Sequence, residues 1–324
     1  METALAVTDL PLQLPANLIG VASQARDYMR AAKSPSTRRA YRADWQAFAA
    51  WCRDQGLCAL PAAPATVALY LAAQAPVLRP ATLGRRLVAI SAAHRAAGHA
   101  LDTRHAAIRE TLAGIKRTYG TAQRGKAPAV TADIKAMVAA QPGNLLGLRN
   151  RAILLLGFAG AFRRSELAAL ELADLDFTRD GLVVTLRRSK TDQDGQGRKV
   201  GVPYGSSPAS CPIRTAQDWI AAAKIAAGAV FLQIGPAGIA ATGKRLTDKS
   251  VALVVKRAAR LVGLDPARFG GHSLRAGLAT AAAQAGASER SIMAQTGHKS
   301  LPMVRRYIRS GSLFKENAAS TLGL

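Results

Sequence analysis

Residues 270–286 read GGHSLRAGLATAAAQAG, and the interpretation of the whole chain starts from this stretch. It predicts a helix over 272–285, on which His272 and Arg275 stand three positions apart. Side chains at that spacing project from one face of a helix, so both can reach a single phosphate group. In an Arg-rich chain with five histidines, this pair carries little weight alone. Its meaning depends on the residues that accompany it.

Two further motifs precede this stretch. Arg163 is followed three residues later by Glu166, a spacing common for helical ion pairs. This spacing favours Arg163, rather than the adjacent Arg164, as the candidate site residue. Lys190 lies in a polar, Gly-bearing segment between two β-like runs, 181–186 and 198–202, which together predict a β-hairpin. A lone lysine at a hairpin tip is ordinarily just solvated.

A third motif follows, in which Gly297-His298 precedes Tyr307 by nine residues. On one continuous helix that separation puts two side chains on nearly opposite faces, so His298 and Tyr307 can share a site only if the chain turns between them. Ser300 as a helix N-cap and Pro302 in the first turn predict such a turn, followed by a new helix over 300–309. Taken alone, Tyr307 reads more simply as a core residue packed beside Val304.

Together and in this order, the motifs resemble those of the tyrosine recombinase, or phage integrase, family, from about residue 20 to the end. The opening stretch is similar to the family's HxxR box. Three other segments are similar to its first arginine box, its lysine hairpin and its terminal histidine and tyrosine box: AFRRSELAALELADLDF (161–177), SKTDQDGQGRKVGVP (189–203) and SIMAQTGHKSLPMVRRYI (291–308). One departure is Arg164, which stands where the family commonly has an apolar residue.

The resemblance implies transesterification at a DNA phosphodiester, with a 3′-phosphotyrosyl intermediate and without metal ion, cofactor or ATP. A free phenol has a pKa of ~10, so a tyrosine nucleophile needs a neighbouring base. The roles that the resemblance assigns are Tyr307 as nucleophile, His272 as general base, Lys190 as general acid to the departing 5′-oxygen, Arg163, Arg275 and His298 as ligands of the phosphate oxygens, and Glu166 as the residue that supports the first arginine box.

The charge of the chain points to a polyanionic partner. Its 44 Lys and Arg residues against 20 Asp and Glu residues give a formal net charge of +24. Residues 1–120 hold 15 basic and 7 acidic side chains (+8), and residues 121–324 hold 29 and 13 (+16). Such an excess repels itself unless a polyanion neutralises it, so we expect nucleic acid, and from the resemblance double-stranded DNA with a specific target site. In the first domain we expect phosphate contacts from Arg38, Arg39, Arg42, Arg85 and Arg86.

Patterning along the chain predicts a mostly α fold with a small antiparallel β-sheet in the second domain. The first third is helical throughout, with Tyr41, Trp45, Phe48 and Cys52 on one stripe of a helix capped by Ser36 or Thr37. From the resemblance, the two domains form a C-shaped clamp around DNA. The expected divisions are an N-terminal extension (1–16), a helical, SAM-like core-binding domain (17–118), a linker (119–130) and a catalytic domain (131–324).

We expect a cytoplasmic protein that is associated with the nucleoid when bound to DNA. The three cysteines, Cys52, Cys58 and Cys211, form no CxxC pattern and no even framework, which indicates a reducing compartment. The first 15 residues lack the basic and apolar regions of a signal peptide. The apolar run 152–162 is too short to span a bilayer.

The resemblance also implies an assembly, and the same residues leave two alternative functions open. The resemblance implies a homotetramer on two DNA sites, together with accessory DNA-bending proteins, while the tail bearing Leu313, Phe314 and Leu322 could pack on its own domain or on a neighbouring protomer. One alternative function is a type IB topoisomerase-like nicking and closing enzyme, which shares this chemistry. Another is a non-catalytic basic DNA-binding protein. A membrane-surface protein is disfavoured, because no helix pairs a basic face with a clean apolar one.

Overall fold

The computed structural model describes residues 15–122, 125–187 and 197–311, the last of these ranges by backbone alone at 306 and 308–311. The chain divides into two compact units, Met1–Arg124 and Gly125–Leu324. The division falls inside the segment 119–130 that the sequence suggests as a linker. The tail residues Leu313, Phe314 and Leu322 lie outside the described residues, so their packing stays a prediction.

The first unit is helical, as expected, around a core of Phe48, Leu71, Leu83 and Ile108 with their neighbours. Three of its helices begin with proline in the first turn, where the missing N–H costs no hydrogen bond. The cap predicted at Ser36 or Thr37 is wrong: Ser34 caps that helix, accepting a hydrogen bond from the Thr37 N–H at 3.2 Å. The helices are α1 (Ile19–Ala31), α2 (Pro35–Asp54), α3 (Pro64–Gln74), α4 (Pro80–Ala96) and α5 (Ala106–Tyr119).

A buried histidine links α4 to the loop before α3. His94 is fully buried, its Nε2 accepts a hydrogen bond from the Ala62 N–H at 2.8 Å, and its Nδ1 lies 2.9 Å from the Ile90 carbonyl oxygen. Because the amide and the carbonyl fix one acceptor and one donor on the ring, His94 is neutral. Burial lowers its pKa below the usual 6.5.

This histidine makes the stability of the first unit depend on pH. The unfolded chain binds a proton at His94 near pH 6.5 and the folded chain does not. Above that pH, His94 is neutral in both states and does not reduce the unfolding free energy. As pH falls below the usual histidine pKa, we expect His94 to cost up to about 1.4 kcal/mol of unfolding free energy per pH unit. Urea unfolding of His94→Gln at about pH 8 and about pH 5 should show a smaller pH effect than wild type. The exposed His99→Gln serves as the control, and equal pH effects in all three proteins would contradict the assignment.

The second unit combines helices with two small antiparallel sheets. Strands predicted over 181–186 and 198–202 are confirmed, and they pair with Leu182 opposite Val202 and Val184 opposite Val200, all four buried. The short strands β1, β4 and β5 were not foreseen. The elements are α6 (Thr131–Ala139), α7 (Leu145–Ala159), α8 (Arg164–Ala169), β1 (Leu175–Phe177), β2 (Gly181–Leu186), β3 (Arg198–Pro203), α9 (Pro212–Ala222), β4 (Leu232–Ile234), β5 (Ala241–Arg245), α10 (Asp248–Leu261), α11 (Gly271–Gln284), α12 (Glu289–Thr296) and α13 (Leu301–Gly311).

The apolar run 152–162 belongs to the core of this unit. Most of α7 is buried, including Ile153, Leu154 and Leu156, and it packs in a cluster with Trp219 and Leu274. No helix in the described ranges is both long and apolar enough to cross a membrane. The helices of both units and the small antiparallel sheets of the second unit confirm the predicted mostly α fold.

An extended segment before α6 packs along α11. The Ala127 N–H donates to the Arg268 carbonyl at 2.7 Å, and the Ala129 N–H donates to the Ser273 carbonyl at 3.0 Å. Gly277 permits this approach, because a Cβ atom there would lie 1.8 Å from the Ala129 carbonyl oxygen. The second half of the segment 119–130 is therefore held against the helix that carries His272 and Arg275.

Candidate active site

Six of the seven sequence-predicted site residues come together in the second unit. They arrive from three places: the start of α8, the first turns of α11, and the α12–α13 turn with α13 itself. Lys190, the seventh, lies outside the described residues. The six are Arg163, Glu166, His272, Arg275, His298 and Tyr307.

Tyr307 contacts His272 directly. The Oη atom of Tyr307 lies 2.7 Å from Nε2 of His272, and the ring centroids are 6.1 Å apart. Desolvation lowers the pKa of His272 below 6.5, and the positive charges of Arg275 and Arg163 lower it further. The ring is therefore neutral at neutral pH and can accept the phenolic proton.

Arg163 and Glu166 form a closed pair at the start of α8. Both the backbone N–H of Arg163, at 2.9 Å from Oε2, and its guanidinium Nη1 donate to the Glu166 carboxylate, which is buried. Arg164 points elsewhere, since its Nε lies 3.1 Å from the Asp248 carboxylate at the surface. The spacing argument that chose Arg163 over Arg164 agrees with this geometry.

Arg275 is a buried cation. Only 2% of its surface is exposed, and its Nη1 donates to the Ala161 carbonyl at 2.9 Å, while its buried Nη2 has no hydrogen-bond partner among the described residues. Ala161 adopts φ +50°, a left-handed conformation that is strained for alanine. Desolvation, followed by the charge of Arg163, lowers the pKa of Arg275 to about 10.

His298 reaches the site because the chain turns before Tyr307. Gly297, at φ +65°, ends α12, and α13 starts at Leu301, so the predicted turn is confirmed. The His298 and Tyr307 rings lie 5.8 Å apart, centroid to centroid. Desolvation, then the charges of Arg275 and Arg163, lower the pKa of His298 to about 4. The tyrosine ring also packs on a small apolar cluster with Val304, so the core reading of Tyr307 was partly right.

Arg198, the first residue of β3, was missed by the sequence reasoning. Its Nη1 donates to the Gln295 carbonyl at 3.2 Å, and its Cζ would lie 2.9 Å from a Cβ on Gly297. Desolvation lowers its pKa, and its charge also lowers the pKa of Arg275 and of His298. The one signal in the sequence is that Arg198 lies within the segment similar to the lysine hairpin, and the contacts of its side chain become clear only from the structure.

The five arginines of the first unit that the sequence suggests as DNA contacts fall into two groups. Three of them are exposed on α2: Arg38, Arg39 and Arg42. Arg85 is half-exposed on α4 with Nη2 3.1 Å from the buried Asp44 carboxylate, whereas Arg86 is largely buried and contacts Asp44 and Tyr70. The exposed α2 group is therefore more available to a polyanion than Arg86.

Comparison with known proteins agrees with this geometry. A family model described as the phage integrase family matches residues 131–312. The chain is 39% identical over 305 residues to an integrase/recombinase XerD homolog of Selenomonas ruminantium, covering 92% of this chain and 89% of that protein. It is 30% identical over 285 residues to the tyrosine recombinase XerC of Mycobacterium sp. (strain KMS), covering 85% and 88%.

Solved structures share the fold. The Tn1549 transposon integrase in complex with transposon right end DNA superposes with a TM-score of 0.61 at 18% identity, covering 94% of this chain and 98% of that one. The XerH site-specific recombinase bound to palindromic difH substrate also gives a TM-score of 0.61, at 17% identity, covering 81% and 73%. The chain therefore belongs to the phage integrase family of tyrosine recombinases, enzymes that cleave and rejoin DNA strands.

Proposed function

We propose that Tyr307 is the nucleophile of a site-specific DNA recombinase and that His272 is its general base. The observation that supports this most directly is the 2.7 Å contact between His272 Nε2 and Tyr307 Oη. As Oη attacks phosphorus, its proton passes to Nε2, and the bond from phosphorus to the 5′-oxygen breaks. The product is a 3′-phosphotyrosyl link with a free 5′-hydroxyl. Attack by a 5′-hydroxyl on that link reverses the step and joins strands.

The positive groups around Tyr307 suit a phosphodiester. Burial, together with the positive charge of Arg163, lowers the pKa of Arg198 and of Arg275, and the negative charge of Glu166 offsets part of that effect. An anion bound among these arginines relieves their repulsion, and the negative charge that builds up in the transition state is stabilised by the same fixed donors. We assign Arg163 and Arg275 to the non-bridging oxygens, with His298 as a further donor. Glu166 holds Arg163, and Lys190, by family resemblance, protonates the departing 5′-oxygen.

The proposal also covers the roles of the two units, the DNA target and the oligomeric state. The first unit is the core-binding domain and contacts DNA phosphates through arginines that include Arg38, Arg39 and Arg42, while the second unit is catalytic. The protein recognises a specific target site, assembles as a homotetramer on two such sites with accessory DNA-bending proteins, and acts in the cytoplasm on the nucleoid. Supporting observations are the charge of +24 and the recombinases bound to DNA that share its fold.

Covalent capture in cells tests the nucleophile. Cells expressing wild type, Tyr307→Phe or Tyr204→Phe are lysed in denaturant, the protein is captured, and attached DNA is sequenced. We expect recurrent 3′ ends with wild type and with Tyr204→Phe, and none with Tyr307→Phe, because the phenylalanine has no oxygen to attack phosphorus. Tyr204 is the matched control, since its hydroxyl lies at the surface, 3.3 Å from the Thr178 carbonyl.

Other outcomes separate the alternatives. An adduct formed by Tyr307→Phe would place the nucleophile elsewhere. Wild-type adducts at scattered sequences would indicate a topoisomerase-like enzyme. No adduct from wild type on a host carrying the native DNA site would favour a non-catalytic DNA-binding protein.

A further inference from the structure

The turn that carries His298 contains a chain of two short hydrogen bonds. The hydroxyl Oγ1 of Thr296 donates to the Ile292 carbonyl oxygen at 2.6 Å, and the same Oγ1 lies 2.7 Å from Nδ1 of His298. Thr296 is fully buried and His298 is 9% exposed, so water does not compete freely for either group.

These two hydrogen bonds determine which nitrogen of His298 carries the proton. A hydroxyl has one proton, and a carbonyl oxygen can only accept, so the proton of Thr296 is committed to Ile292. Oγ1 can then only accept from His298, which requires Nδ1 to be protonated. A neutral imidazole with its proton on Nδ1 has a bare Nε2, and that nitrogen is an acceptor.

We propose that Thr296 holds neutral His298 in the Nδ1–H form, so that His298 donates to the scissile phosphate only after taking up a proton when DNA binds. This inference deepens the proposed function, because it rests on His298 facing the phosphate. Thr296 is a positioning residue in this scheme: it acts through the ring of His298 and touches no reacting atom. Binding at the catalytic phosphate is then coupled to proton uptake.

The charges around His298 give this coupling its direction. The groups that face it are His272 and Arg275 from α11, Arg163 from the start of α8, Arg198 from β3 and Tyr307 from α13. Without DNA, burial and then the charges of Arg275 and Arg163 keep the imidazole neutral. A phosphodiester anion neutralises part of that charge and offers an acceptor, and both effects favour protonation of Nε2.

The tautomer can be measured without DNA. In ¹⁵N-labelled protein, two-bond ¹H–¹⁵N correlation spectra identify which ring nitrogen is protonated, and His298→Gln assigns the signals among the five histidines. At about pH 7.5, well above the usual histidine pKa, we expect the Nδ1–H form in wild type and in Thr296→Ser, which keeps the hydroxyl. In the nearly isosteric Thr296→Val the Nδ1 atom loses its acceptor, and we expect the Nε2–H form. An Nε2–H form in wild type, or an unchanged tautomer in Thr296→Val, would overturn the proposal.

Proton uptake is measured separately, with a duplex carrying the cleavage site recovered by covalent capture. Above about pH 4, the pKa of His298 in the free protein, the requirement for one bound proton should weaken wild-type binding to the catalytic phosphate by up to tenfold per pH unit, and the cleavage rate at subsaturating DNA should fall with it. Thr296→Ser should follow wild type. Thr296→Val, whose neutral ring already donates from Nε2, should lose less activity with rising pH. Parallel pH profiles for wild type and Thr296→Val would refute the coupling, whereas failure of the proposed function itself would appear as an absence of any Tyr307 adduct.

Discussion

Replacing Arg163 with alanine is expected to lower the rate of strand cleavage by about 100- to 1,000-fold, the loss typical of removing one fixed donor to a developing negative charge. The same replacement at Arg164 should leave the rate within about twofold, as for an ordinary surface substitution. The two residues are adjacent, yet Arg163 is tied to the buried Glu166 within the site, whereas Arg164 pairs with Asp248 at the surface.

Stability must be separated from catalysis in this comparison. Alanine at 163 leaves Glu166 buried without its guanidinium partner, and breaking a buried ion pair costs about 3–5 kcal/mol. Single-turnover cleavage is therefore measured at saturating protein, beside urea unfolding of each variant. Arg163→Lys keeps the charge but not the fork of donors, so it should fold better than the alanine variant and still cleave slowly. Comparable cleavage by the Arg163 and Arg164 alanine variants would contradict the assignment.

The second large effect concerns stability at Gly277. An alanine Cβ at this position would lie 1.8 Å from the Ala129 carbonyl oxygen and 2.6 Å from its carbon, both of them backbone atoms that no rotamer change can move. The segment before α6 must then leave α11, with loss of the hydrogen bond from the Ala129 N–H to Ser273. We expect Gly277→Ala to lower the unfolding free energy of the second unit by about 3 kcal/mol or more.

A helical glycine with open space around it provides the control. A methyl group added to Gly114 in α5 would meet nothing within 4 Å outside the helix's own backbone, so Gly114→Ala should stabilise the first unit by up to about 1 kcal/mol. Denaturant unfolding with hydrogen exchange, which follows the two units separately, distinguishes the two results. A stable Gly277→Ala protein with protected amides at 127 and 129 would show that the close approach is not required.

Most of the fold followed from local patterns. Apolar spacing, cap residues and the polar hairpin segment indicated a helical first domain, the helices over 272–285 and 300–309, and the strand pair, because these signals act over a few residues. Strands β1, β4 and β5 were missed because they are three to five residues long, too short for a period-2 pattern to stand out. The cap at Ser34 was missed because Ser36 and Thr37 offer equally good hydroxyls nearby.

At the site, too, the sequence revealed residues in local motifs and did not reveal contacts that depend on the folded chain. His272, Arg275, His298 and Tyr307 could be picked from motifs with fixed spacing. The role of Arg198 depends on how β3 lies against the end of α12, which is a contact across 97 residues of sequence. The Thr296 contact joins residues only two apart, yet it has meaning only once Gly297 has turned the chain and buried both groups.

The packing of residues 127–129 on α11 bears on how this protein can be dissected. A fragment that starts at Thr131, where the family model begins, would lack the backbone that fills the groove over Gly277. The carbonyl groups of Arg268 and Ser273 would lose their donors, next to the first turn that holds His272. An excised second unit should therefore begin no later than Gly125, where this compact unit itself starts. A fragment that starts at Thr131 should therefore be less stable than one that starts at Gly125, and a lower activity of the shorter fragment would measure the effect of this packing on α11.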